Sequence, residues 1–129
     1  MIAVDTNVVV RLLTGDEETQ HRKARALFEK NAVFITETVI LECEWVLRYA
    51  YDFTPTAICD ALNRLFGLPH VHLENPTAVK QAIQWHASGL DFADALHLAR
   101  CQHVDRFVTF DAKLVRRASR LGRCPVLRP

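Results

Sequence analysis

Glycine, proline and cysteine are all scarce in this 129-residue chain, with four, five and four copies respectively. So few glycines and prolines, in a chain that is half apolar and about a quarter charged, argue against a disordered or low-complexity protein. No apolar run has the length needed to cross a bilayer, and the first ten residues hold an acid but no basic leader. We therefore expect a cytoplasmic protein without a membrane segment.

The cysteines, at positions 43, 59, 101 and 124, form no Cys-x-x-Cys pair, so zinc ribbons and thiol redox motifs are not indicated. Buried free thiols are the expectation. The six histidines show no zinc-ligand spacing. Glycine-rich phosphate loops and a Gly-x-Ser-x-Gly elbow are also absent, which gives nucleotide binding and serine hydrolysis no support.

The net charge of +1 hides a strong asymmetry along the chain. Residues 106–129 carry +6 and residues 1–105 carry −5. Within the basic end, four residues follow the i, i+3, i+4, i+7 spacing of one helix face: Lys113, Arg116, Arg117 and Arg120. Such a face suits RNA phosphates or an acidic partner, and a merely solvated helix face fits the spacing equally well.

Apolar periodicity predicts strands near residues 2–5, 33–36, 71–73, 106–109 and 125–127, with helices between them and a last helix over 112–121. Gly15, Pro55 and Pro76 fall where helices should end or begin. Alternating strands and helices favour right-handed crossovers and a parallel sheet covered on both faces. The chain is predicted to be a single α/β domain over residues 1–129, a three-layer α/β/α fold with a central parallel sheet.

Four acids stand beside or within apolar elements and are the candidate metal ligands. Asp5 and Asp111 each follow a predicted strand, and the carboxyl ends of parallel strands are where ligands collect. Each would also serve as an ordinary helix N-cap. Glu42 is predicted to lie on the buried stripe of its helix, with exposure to water at the edge of that stripe as the alternative. Glu44, four before Arg48, is predicted to form an exposed ion pair.

Asp91 and Asp94, three residues apart, complete this candidate set. Both belong to the first turn of a predicted helix, where the macrodipole favours negative charge. Asp91 is the better candidate for the cap, and Asp94, within an apolar segment, is the better candidate for a metal ligand. His97 could orient Asp94, although a hydrogen-bonded helix histidine is the simpler interpretation.

The segment Ile-Ala-Val-Asp-Thr-Asn-Val-Val-Val-Arg-Leu-Leu-Thr-Gly-Asp at the start of the chain resembles the PIN domain family, especially the VapC-like toxins of bacterial type II toxin–antitoxin pairs. The likeness extends along the whole chain. The family's later acids resemble Glu42 in Val-Ile-Leu-Glu-Cys-Glu-Trp, Asp94 in Asp-Phe-Ala-Asp-Ala-Leu-His and Asp111 in Val-Thr-Phe-Asp-Ala-Lys. The usual pattern after the third acid, Asp-Ala-x-Ile-Ala-Ala, is varied here by His97-Leu-Ala-Arg.

The resemblance implies a magnesium- or manganese-dependent endoribonuclease with RNA as substrate, a cognate antitoxin protein as partner, and a homodimer. Asp5 and Asp94 would be the primary metal ligands, with Glu42 and Asp111 completing the site or positioning the attacking water. Thr6 and Asn7 are expected to orient Asp5 by hydrogen bonds.

Two rival functions fit the residues less well. A phosphatase or phosphotransferase would use Asp5 as nucleophile, but Asn7 stands where such enzymes have a second Asp. The other rival is a non-catalytic module whose acids only cap helices and whose basic face contacts RNA or protein.

Overall fold

The structure is a computed structural model that describes residues 1–129, and the chain divides into two compact units, Met1–Pro76 and Thr77–Pro129. Five strands and seven helices alternate much as the periodicity predicts. None of the helices combines the length and the apolar character that a membrane crossing requires. The division into two units does not test the single domain predicted over residues 1–129, which stays a prediction.

The first unit contains a three-stranded parallel sheet in the order β1-β2-β3. Its strands are β1 (Ile2–Ala3), β2 (Val33–Ile35) and β3 (Val71–Leu73), and its helices are α1 (Thr6–Thr14), α2 (Glu18–Lys30), α3 (Glu37–Tyr49) and α4 (Pro55–Phe66). Gly15 ends α1 in the left-handed region, at φ 64°, where a side chain would be strained. The core of this unit is formed by fully buried side chains of α1, β2, α3 and α4. They include Val9, Val33, Ile35, Ile40, Leu47, Ile58 and Leu62.

The second unit contains a two-stranded parallel sheet. Its elements are α5 (Pro76–Ala87), which begins at the last residue of the first unit, α6 (Phe92–Arg100), β4 (Phe107–Val108), α7 (Ala112–Ala118) and β5 (Val126–Leu127). Its core is formed by Val79, Ala82, Phe92, Ala95 and Leu98. The predicted parallel pairing is present in both units, and hydrogen bonds distribute the five strands between two sheets.

Helix α7 ends earlier than predicted, at Ala118 instead of Leu121. A tighter turn follows, in which the Leu121 amide donates to the Ala118 carbonyl, and Gly122 adopts φ +68°. A Cβ at Gly122 would lie 2.3 Å from the Gln102 Oε1 atom, so a side chain there would displace Gln102 and also strain the backbone. That oxygen accepts hydrogen bonds from the Arg123 and Cys124 amides, which holds the loop after α7 against residue 102.

The four cysteines are free, and three of them, Cys43, Cys59 and Cys124, are buried. This confirms the expectation of buried free thiols at three positions, whereas Cys101 is half-buried. No disulfide contributes to the fold, and reducing conditions should leave it intact.

Glu44 is buried, which corrects the prediction of an exposed pair. Its side chain is 1% exposed and forms a bidentate ion pair with Arg48, at 2.9 Å from Nε to Oε2 and 3.0 Å from Nη2 to Oε1. The Arg48 guanidinium also lies over the Tyr49 ring, 4.6 Å from its centroid. The inward stripe of α3 consists of Ile40, Cys43, Glu44 and Leu47, so the burial assigned to Glu42 belongs to Glu44.

Replacing Arg48 should destabilise the protein because it leaves the Glu44 carboxylate buried without its counter-ion. We expect Arg48→Ala to lower the free energy of unfolding by up to about 3 kcal/mol, the lower end for a broken buried pair, since Arg48 itself is partly exposed. Urea unfolding followed by far-UV circular dichroism measures the change. Arg25→Ala, which breaks the exposed pair with Glu29 at the same spacing, is the control and should cost about 0.5 kcal/mol or less. Equal losses in the two variants would contradict this account.

Candidate functional site

Asp5 lies at the turn from β1 into α1 and caps that helix. Its Oδ1 atom accepts from the Val8 amide at 3.2 Å, as the N-cap interpretation predicts. Its Oδ2 atom accepts no hydrogen bond. The cap therefore fixes the orientation of the carboxylate and leaves one oxygen available to a ligand.

Glu42 lies close to Asp5 even though it does not lie on the buried stripe. Its side chain is exposed, so the predicted burial is wrong. The buried Thr6 hydroxyl donates a short hydrogen bond to Glu42 Oε1, across 36 positions of sequence. Thr6 thus positions Glu42 and not Asp5, which corrects the predicted partner.

Cys43 gives independent support for the proximity of Asp5 and Glu42. Burial, together with the charges of Glu42 and Asp5, raises the pKa of the Cys43 thiol to about 12. Both carboxylates therefore act on one thiol. The first unit contributes an acidic pair, Asp5 and Glu42, held at the start of α1 and within α3.

The second unit brings Asp91, Asp94 and Asp111 into one neighbourhood. Asp91 caps α6 by accepting from the Asp94 amide at 3.1 Å, which confirms its predicted role. Asp111 caps α7, where its Oδ1 atom accepts from the Lys113 and Leu114 amides at 2.9 and 3.1 Å. The Asp111 Oδ2 atom accepts no hydrogen bond.

Asp94 is the half-buried member of this group, and its carboxylate accepts no hydrogen bond. Burial is the main cause that raises the pKa of Asp94 above its usual range, followed by the charges of Asp91 and Asp111. His97, which is exposed, acts in the opposite direction on the same pKa. A cation bound here would offset the repulsion between the half-buried Asp94 carboxylate and the charges of Asp91 and Asp111.

The oxygen atoms left unpaired decide whether these residues suit a divalent metal. Asp5, Glu42 and Asp111 each use one carboxylate oxygen inside the protein and keep the other, while Asp94 keeps both. Hard divalent cations prefer oxygen ligands of this kind. Each unit therefore offers carboxylate oxygens of the kind that a divalent cation binds, although no group of three or more His, Cys, Asp or Glu side chains is already arranged to hold one.

The predicted basic face is only partly formed. Lys113, Arg116 and Arg117 are exposed on α7, but Arg120 lies beyond the end of that helix. Arg117 is also engaged, because its Nη1 atom donates to the Gly89 carbonyl at 2.8 Å. Lys113, Arg116 and Arg120 remain as exposed cations.

Sequence reasoning missed a cavity of about 300 Å³ on the Asp5 side of the first unit. Asp5 and Asn7 line it together with residues of α1 and α2, so Asn7 faces this space and makes no hydrogen bond to Asp5. The sequence signal that could have indicated this cavity was a pair of polar residues three positions apart on α2, Gln20 and Lys23. Their relation to Asp5 depends on how α1 and α2 pack, which periodicity does not predict.

The raised pKa of Asp94 has a consequence for stability. The folded state binds the Asp94 proton more tightly than the unfolded state, so ionisation costs stability as pH rises through the raised pKa. We expect Asp94→Asn to raise the melting temperature at pH 7 without divalent metal. The gain should vanish as pH falls below the unfolded-state pKa of about 3.9. Calorimetry across this pH range measures it, with the exposed Asp105→Asn as control; a lower melting temperature for Asp94→Asn at pH 7 would show that its charge stabilises the fold.

One comparison with known proteins, that with family models, agrees with the sequence resemblance. The model of the PIN domain family matches residues 2–120. One solved structure similar to this chain is that of Mycobacterium tuberculosis VapC20, described as a sarcin-ricin loop cleaving toxin, with 22% sequence identity and a TM-score of 0.44 over 87% of this chain and 91% of that one. No curated protein matches the chain. Because the family model spans nearly all of the sequence, the chain belongs to the PIN domain family, and its predicted three-layer α/β/α class with parallel strands is confirmed.

Proposed function

We propose that this protein is a magnesium- or manganese-dependent endoribonuclease. One observation carries the proposal: in a chain that belongs to the PIN domain family, the four acids at the family's motif positions each keep an oxygen that accepts no hydrogen bond. A protein that used these acids only as caps would not need Glu42 or Asp94, neither of which caps a helix.

Asp5 and Asp94 are the proposed primary metal ligands, and Glu42 and Asp111 complete the site or position the attacking water. A bound divalent cation would supply a water of lowered pKa and neutralise negative charge that develops on the phosphoryl oxygens. The protein itself orients the carboxylates. The cap bonds at Asp5 and Asp111, and the Thr6 hydroxyl at Glu42, hold three carboxylates in place before any ligand arrives.

Asp91 is the proposed supporting residue of the second unit. Its carboxylate fixes the first turn of α6 and thereby the backbone that carries Asp94. Its charge also helps to raise the pKa of Asp94, so the two acids together favour a nearby cation. Removing Asp91 would loosen the ligand and reduce the local negative charge at once.

The exposed cations near α7 are proposed to contact RNA phosphates. An acidic site repels RNA unless basic residues offset its charge, and Lys113, Arg116 and Arg120 are exposed cations of the chain's basic end. Arg117 contributes through charge, because one of its nitrogen atoms already binds the Gly89 carbonyl.

The biological role that this activity supports is that of the toxin in a cytoplasmic type II toxin–antitoxin pair, with a cognate antitoxin and a homodimeric state. The resemblance to VapC-like toxins supports this part of the proposal. Exposed aromatic residues offer a surface for such partners: Trp45 and Tyr49 are 56% and 61% exposed, and their rings lie 5.1 Å apart.

The activity is tested first by replacing Asp5. We expect Asp5→Asn to lower the rate of metal-dependent cleavage of single-stranded RNA at least about 100-fold, because an amide loses the charge that binds a cation. Asparagine caps helices about as well as aspartate, so the free energy of unfolding should change by less than about 0.5 kcal/mol. Gel analysis of a labelled RNA with magnesium, manganese or EDTA gives the rates.

The exposed Asp60→Asn is the matched control and should cleave RNA at the wild-type rate. Cleavage by Asp5→Asn at the wild-type rate would mean that Asp5 is a cap and nothing more. Wild-type cleavage that persists in EDTA would contradict metal dependence.

The contribution of the basic residues is tested by the salt dependence of RNA binding. Replacing Lys113, Arg116 and Arg120 together by Ala should lower the slope of log affinity against log salt by about 2, since each lost phosphate contact removes about 0.7 for single strands. Fluorescence anisotropy with a labelled RNA measures the slope. The control is a second triple variant in which three other exposed cations are replaced by Ala: Arg22, Lys30 and Lys80. Equal slopes in the two triple variants would show that the residues near α7 are only solvated or serve the antitoxin.

A further inference from the structure

The cavity beside Asp5 has four polar side chains in its lining that the proposed catalytic chemistry does not use: Asn7, Arg11, Gln20 and Lys23. It encloses about 300 Å³, at the lower end of the range for small-ligand sites, roughly 300–1,000 Å³. Asp5 forms part of its wall, so whatever occupies the cavity touches a proposed metal ligand. The rest of the lining comes from α1 and α2.

Arg11 is held in the cavity wall with one nitrogen left over. Its Nη1 atom donates to Asp16 at 2.9 Å and to the Tyr51 hydroxyl at 2.8 Å, and its Nε atom donates to Gln20 Oε1 at 2.7 Å. The Tyr51 hydroxyl in turn donates to Asp16 Oδ2. The guanidinium is thereby fixed in orientation, and its Nη2 atom makes no hydrogen bond.

Three more donor groups line the same space. The bond from Arg11 requires that Gln20 present its oxygen to Nε, which leaves the Gln20 amide nitrogen unpaired. The Asn7 amide and the Lys23 ammonium line the cavity as well and have no hydrogen bond or ion pair. Four side chains with unpaired donors, from two helices, therefore line this space, and its only carboxylate is Asp5.

This donor set selects a particular class of ligand. Lys23 and Arg11 are cationic, and the two amides can donate hydrogen bonds. A ligand with negative charge and several acceptor atoms fits such a set, and a phosphodiester is one. The remaining wall is apolar, formed by Val8, Ala24 and Leu27, and suits the flat surface of a sugar or base. A bare inorganic anion would leave that apolar wall unused.

We propose that this cavity binds one nucleotide of the RNA strand, next to the phosphodiester that is cleaved. Lys23 and the free Nη2 atom of Arg11 take its phosphate, Asn7 and Gln20 donate to its phosphate or sugar oxygens, and Val8 and Leu27 contact its sugar or base. This inference rests on the proposed ribonuclease function and adds a substrate subsite to it. Lys23 is the residue to test, because it is exposed and no contact within the protein depends on it.

The experiment compares Lys23→Gln with Lys30→Gln, an identical change at an exposed lysine of the same helix that does not line the cavity. A labelled 12-nucleotide single-stranded RNA is bound in EDTA over a range of KCl concentrations, and its cleavage is then measured with manganese. For Lys23→Gln we expect about tenfold weaker binding, a salt slope smaller by about 0.7, and a KM raised with kcat within about twofold. Lys23→Arg should restore both binding and slope, and the melting temperature should be the same in all variants.

Two results would overturn the subsite while leaving the ribonuclease function standing. One is a Lys23→Gln protein that binds and cuts RNA as the Lys30→Gln protein does. The other is a Lys23→Gln protein that keeps RNA binding but loses affinity for a purified antitoxin, which would assign the cavity to the protein partner. A wild-type protein that neither binds nor cleaves RNA refutes the proposed function itself, and the subsite with it.

Discussion

The amides at the start of each helix need acceptors, and this requirement fixes the positions of three acids in the structure. Asp5, Asp91 and Asp111 each meet it at the first turn of a different helix. A carboxylate has two oxygens and a cap bond needs only one, so Asp5 and Asp111 are oriented by the backbone and still present an oxygen outward. Capping and metal binding, which look like alternatives in the sequence, are therefore compatible uses of the same side chain.

The pattern of helix α3 explains why the burial predicted for Glu42 was wrong. Glu42 and Glu44 are only two residues apart, so either can be fitted to an apolar stripe when the choice depends on which of Val39 and Ile40 faces inward. Ile40 is fully buried, and the stripe that includes it takes in Glu44 and not Glu42. The spacing correctly predicted the pair of Glu44 with Arg48. Which face of α3 is buried depends on how the helix packs in the fold, and the periodicity of one helix does not predict that.

Most helix and strand positions were predictable because local signals mark them: Gly15 with φ 64°, Pro55 and Pro76 at first helical turns, and short β-branched runs in strands. The caps at Asp5, Asp91 and Asp111 were predictable from the same local signals. The bond from Thr6 to Glu42 and the contacts of Arg11 with Tyr51 join residues 36 and 40 positions apart. Contacts of this range arise only after the elements pack, so the cavity beside Asp5 could not be found from the sequence.

A nuclease site built from carboxylates must attract a polyanion while it remains acidic enough to hold a cation. The chain's charge, −5 over residues 1–105 and +6 over residues 106–129, suggests that acids and cations are separated between the two ends. The structure shows a finer arrangement. The first unit has Lys23 and the oriented Arg11 beside Asp5, and the second has Lys113 at the amide that Asp111 caps. In the proposed ribonuclease each unit thus supplies acidic ligands together with cations of its own, and these cations offset part of the repulsion between the acids and the RNA phosphates.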